Sequence, residues 1–76
     1  MDIGDKVASR IIDLLFERDI TLNKLSIICG INQSTLNNIV NRNNNSPTIR
    51  TINSICEGLD MELVEFFDHE IFGIEQ

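Results

Sequence analysis

The chain has no Trp, no Tyr and one Pro, Pro47; its aromatics are four Phe. The apolar weight of any core therefore falls on Ile and Leu. No segment sustains the apolar–polar alternation of a half-buried strand. No apolar run approaches the ~20 residues of a membrane span, so no membrane partner is expected. Asp2, Asp5, Lys6 and Arg10 interrupt any early apolar run, so no signal peptide is read at the start. Cysteine is scarce. Cys29 and Cys56 sit in apolar stretches, and together with His69 they lack metal-ligand spacing. A reduced, cytoplasmic setting is the simplest reading, with a disulfide as the lesser alternative. His69, the only histidine, lies between Asp68 and Glu70, where a solvated surface residue is expected. No Gly-rich phosphate loop is present. Catalytic residues, metal and cofactors are expected to be none, and the chain is not read as an enzyme.

Carboxylates are missing from one long stretch. The net charge is −6, which taken whole argues against a polyanionic partner. Its distribution argues otherwise. Residues 1–19 carry Lys6, Arg10 and Arg18 against Asp2, Asp5, Asp13, Glu17 and Asp19. Residues 20–56 carry Lys24, Arg42 and Arg50 and no acid, and residues 57–76 carry seven acids and no Lys or Arg. A surface that approaches phosphate needs such an exclusion.

What is present is helical periodicity, in a chain of 76 residues with 42% apolar content, enough for one small core. The spacing predicts an all-α domain of five helices. The first runs from about Asp5 to Arg18, with Val7, Ile11, Leu14 and Leu15 at i, i+4, i+7 and i+8. The second, Leu22 to Cys29, is capped by Thr21 and stopped by Gly30. The third, Gln33 to Asn41, is capped by Asn32 and turns Leu36, Ile39 and Val40 inward. The fourth, Ile49 to Gly58, is capped by Thr48 or Ser46 and has the stripe Ile49, Ile52, Ile55, Cys56. The fifth, Met61 to Asp68, is expected to bury Leu63, Phe66 and Phe67. Leu14, Leu25, Ile31, Leu36, Ile39, Ile52, Leu63 and Phe67 are expected to meet in one core. Asn41-Arg42-Asn43-Asn44-Asn45-Ser46-Pro47 reads as a loop. Residues 1–70 form the expected domain, with the second and third helices over about 22–41, and 71–76 a short tail.

The third helix has an unusual outer side. Ser34, Asn37, Asn38 and Asn41 recur at i, i+3, i+4 and i+7 and carry no charge and no large apolar group. Surface helices normally favour Glu, Lys and Arg, so a row of Ser and Asn lowers helix stability and asks for a functional reason.

The spacing of Leu25, Gly30, Leu36, Ile39 and Pro47, with Ile20-Thr21-Leu22-Asn23-Lys24-Leu25-Ser26 before it and Pro47-Thr48-Ile49-Arg50-Thr51-Ile52 after it, resembles the Cro/Xre family of phage-repressor-type helix-turn-helix domains. The resemblance covers about residues 7–68. It implies a compact, lambda-repressor-like five-helix bundle that binds double-stranded DNA and regulates transcription, usually as a repressor. By resemblance, Gln33, Ser34 and Asn38 stand where base edges are touched, with Asn37 a further candidate. Thr21, Asn23, Lys24, Arg42, Asn43, Asn45 and Ser46 stand where phosphates are met. The chain departs from the family pattern at Leu22, where many members carry Gln, at Arg42, where many carry Gly, and at Asp60, where Gly is usual.

Few cations serve one protomer, so a homodimer, at least on DNA, is expected. Phe16, Ile28, Ile71, Phe72 and Ile74 are the candidate apolar contacts. No small-molecule ligand is expected. The competing reading is a protein-binding module on the same fold, an antirepressor or adaptor, since fold alone does not fix function. The acidic C-terminal third and the apolar Phe16, Ile27 and Ile28 favour that alternative.

Overall fold

The computed structural model describes residues 2–41 and 47–73. Among them are α1 (Ile3–Arg18), α2 (Leu22–Cys29), α3 (Gln33–Val40), α4 (Ile49–Gly58), α5 (Leu63–Phe67) and a 3-10 turn (Glu70–Phe72), and no strand. The expected all-α, five-helix architecture is what the chain adopts. α2 packs against both α3 and α4, α1 packs against α3, and α4 against α5.

Side-chain caps open the first four helices. The Asp2 carboxylate accepts the Asp5 N–H at 2.9 Å, which starts α1 two residues before the expected Asp5. Thr21 accepts from the Lys24 N–H at 3.0 Å, Asn32 from the Ser34 N–H at 2.8 Å and Thr48 from the Thr51 N–H at 3.1 Å. Each cap satisfies a backbone donor that the helix itself leaves unpaired. Thr48 is thus a cap of α4; Ser46, the alternative, lies outside the described residues.

Three helices end alike. Ile20 N–H bonds Leu15 O, Ile31 N–H bonds Ser26 O, and Met61 N–H bonds Cys56 O, at 3.0, 3.1 and 2.9 Å. The residue before each donor is left-handed: Asp19 at φ 55°, Gly30 at φ 68° and Asp60 at φ 56°. This is the Schellman arrangement, which ties off the last carbonyls of a helix. It also corrects the start of α5. The Met61 N–H belongs to the end of α4, so α5 begins at Leu63, with the Glu62 N–H donating to Glu65 Oε1 at 2.8 Å.

Val7, Ile11, Leu14, Leu25, Leu36, Ile39, Ile52, Ile55, Cys56, Leu59 and Phe66 make one core. Ile31 and Phe67, expected in it, are half-buried at its edge. Ile49 and Leu63, also expected inside, are 65% and 36% exposed. Both are the first residue of their helix. Side chains tilt toward the helix N-terminus, so a residue at that position overhangs the end of the helix rather than the core. Phe72, assigned to the tail, packs against the core, its ring 5.0 Å from that of Phe67 and 6.2 Å from that of Phe66.

Two arginines brace the bundle. Arg10, only 6% exposed, donates from Nε to Phe66 O at 2.7 Å and from Nη2 to Glu65 O at 3.0 Å. Its guanidinium lies 5.8 Å from the Phe66 ring centre. Arg18 donates to Leu59 O at 2.7 Å. His69, expected to be merely solvated, is half-buried. Its Nδ1 accepts the Ile71 N–H at 3.1 Å, and its Nε2 lies 3.1 Å from Asp13, so it joins the 3-10 turn to α1.

Both cysteines are free, Cys56 buried and Cys29 half-buried. Burial pushes both thiols above their ordinary range, and the neighbouring Cys56 adds to the rise at Cys29. Neutral, inward-facing thiols behave as small apolar groups.

Candidate nucleic-acid interface

The turn between α2 and α3 is set by two requirements. Gly30 supplies the left-handed backbone, and Ser26 supplies a small buried side chain whose hydroxyl donates to Asn23 O at 2.7 Å. Leu36 and Ile39 then anchor α3 by its inner side. Gln33, Ser34, Thr35, Asn38 and Asn41 are left exposed, and Asn37 is half-buried beside them. The row of Asn and Ser anticipated from periodicity therefore lies on the solvent side of α3. Amide side chains both donate and accept, as needed for paired hydrogen bonds to a base edge.

At the first turn of α2, Thr21, Asn23 and Lys24 are all exposed. Thr21 Oγ1 accepts from Lys24 N–H, which leaves its own O–H to donate outward. Arg50 is exposed in the first turn of α4. Arg42, Asn43, Asn45 and Ser46 lie outside the described residues.

The electrostatics differ from a simple count of charges. Arg10 and Arg18 are bonded to backbone carbonyls, so two of the six cations serve the fold. The role of Arg10 is written in its position, since residue 10 falls on the Val7–Ile11–Leu14 stripe. Arg18 carries no such signal. The unit from Ile20 to Cys56, which includes all of α2 and α3, still holds no carboxylate.

Residues 10–70 match the family described as the Cro/C1-type HTH DNA-binding domain. The chain belongs to that family. The match spans all of α2 through α5 and most of α1, with the capped α2, the Gly30 turn and the polar-faced α3 at its centre. No curated protein and no solved structure matches the chain. Membership in the Cro/C1-type family makes this a DNA-binding domain of the transcription-regulator class, a family of binding domains rather than of enzymes. No helix among the described residues is long and apolar enough to cross a membrane.

Proposed function

We propose that this chain is a sequence-specific repressor that reads duplex DNA by laying α3 in the major groove. The observation that carries the proposal is the solvent side of α3, which exposes uncharged hydrogen-bonding side chains in a segment without carboxylates. Gln33, Ser34, Asn37 and Asn38 contact base edges. Thr21, Asn23 and Lys24 at the start of α2, with Arg42, Asn43, Asn45 and Ser46, contact phosphates. Helix N-termini favour anions, which supports the assignment at Thr21. The protein acts in the cytoplasm, with no small-molecule effector.

Two protomers bind, on half-sites about 10 bp apart or a multiple of that. Ile27 and Ile28, exposed on α2 in the carboxylate-free stretch, supply apolar surface for pairing. Ile71 and Phe72 are half-buried, Phe72 packed against its own core, so they offer less surface for pairing than Ile27 and Ile28. Ile74 lies outside the described residues.

The test is the salt dependence of duplex binding. With Lys24, Arg42 and Arg50 as the pool of phosphate-neutralising groups, log K should fall with log salt with a slope of about −2 to −3 per protomer. A slope near zero, with binding retained, would remove the phosphate contacts from the account.

A further inference from the structure

Phe16 is 82% exposed, the most exposed large apolar side chain among the described residues. The inner side of α1 is complete without it, because Val7, Ile11 and Leu14 already fill the core. Phe16 instead borders an open groove of about 270 Å³, lined by Ile12, Leu15, Phe16, Asp19 and Ile20. That is below the roughly 300–1,000 Å³ of pockets that enclose small molecules, and suits a single inserted side chain. Carboxylates dominate its surroundings: Asp19 lines the groove, and Asp13 and Glu17, exposed at i−3 and i+1 from Phe16 on α1, flank it, Asp13 with His69 Nε2 at 3.1 Å. The nearby cations point elsewhere: Arg18 donates to Leu59 O, and Arg10 is buried on the carbonyls of Glu65 and Phe66, reaching Glu17 only at 4.0 Å.

We propose that this groove docks a segment of another protein, one that inserts an apolar anchor and flanks it with Lys or Arg. Charge complementarity selects that occupant. A second copy of the chain, paired about a two-fold axis through this groove, would bring its acidic patch onto the same patch of its partner. DNA and anionic lipid are repelled by the same carboxylates. The site uses none of the residues assigned to DNA contact, although Ile20 adjoins Thr21, and so gives the regulator a second, protein-directed contact.

The test is a titration of the isotope-labelled protein, followed by NMR, with a synthetic helical peptide. The peptide carries Leu at i, i+3, i+4 and i+7 and Lys at the flanking positions; a control peptide has Glu in place of Lys. The Lys peptide should shift the amides of residues 12–20, and the Glu peptide should not bind. Phe16→Ser should weaken the Lys peptide by about 10-fold or more, as expected for loss of a central anchor, while duplex binding is unchanged. The double variant Glu17→Gln/Asp19→Asn, which leaves the apolar floor intact, should weaken it comparably at low salt and provides a reading independent of Phe16. The proposal is overturned if the peptide binds Phe16→Ser as tightly as the parent, or if the shifts fall only within residues 57–70. It is also overturned if Phe16→Ser converts a dimer of the protein alone into a monomer, which would make a second copy the occupant.

Discussion

Gly30 and Gly58 are fixed by different physical demands, and the difference predicts how each position responds to substitution. A Cβ on Gly30 would meet nothing within 4 Å, so that glycine is required only by its φ of 68°. Gly58 has no such backbone demand, yet a Cβ there would lie 2.6 Å from Cys29 Sγ and 3.1 Å from Cys29 Cα. It therefore marks a close approach between α2 and α4. Gly58→Ala should destabilise the protein by about 1–3 kcal/mol through overpacking, read as a lowered urea midpoint, despite the better helix propensity of Ala. An unchanged midpoint would mean that the α2–α4 contact is looser than described. Asp60 poses the converse case, a non-glycine residue held at φ 56° where the family usually has Gly. Asp60→Gly relieves that conformation and should stabilise by about 0.5–1 kcal/mol, the left-handed strain being partly offset by the greater freedom of Gly in the unfolded chain. A loss of stability in thermal melts would show that the Asp60 side chain contributes more than its backbone strain costs.

At the scale of elements, legibility followed the type of signal. α2 and α4 were readable to their ends because each combines a Thr cap with a clear apolar stripe. The end of α2 was marked by Gly30. The same terminal motif at Asp19 and Asp60 carries no glycine, and so the boundary between α4 and α5 was misread by two residues. Ile49 and Leu63 were misplaced for a geometric reason, since a stripe drawn from spacing takes no account of side chains overhanging the helix start. The outer face of α3 was legible because Leu36 and Ile39 fix its inner side. The burial of Arg10 is marked by its place on the Val7–Ile11–Leu14 stripe, but the bonding of Arg18 to Leu59 O, 41 residues away in sequence, lies beyond any local pattern. Leu36, fully buried between α3 and its neighbours, tests the central element directly. Leu36→Ala should cost about 2–5 kcal/mol, the usual range for truncating a core leucine. A variant as stable as the parent in urea would detach α3 from the core and with it the orientation of its polar face.

At the scale of the whole molecule, an acidic protein presents one carboxylate-free unit. The seven acids of residues 57–76 follow that unit in sequence, and two arginines are internal braces, so DNA affinity must rest on few cations and on specific hydrogen bonds. Asn and Gln pair best with adenine in the major groove, whereas guanine is usually read by Arg or Lys. α3 offers Gln33, Asn37 and Asn38 and no Arg or Lys. The account is tested most directly by selecting binding sites from a randomised duplex pool with the parent, with Asn38→Ala and with Lys24→Ala. The parent should enrich paired half-sites in which the contacted positions are mostly A·T. Asn38→Ala should relax preference at one base pair and weaken that site by about 1–3 kcal/mol, while Lys24→Ala weakens all sequences about equally. Enrichment of G·C at the contacted positions, or a selected sequence left unchanged by Asn38→Ala, would contradict the reading of DNA by α3.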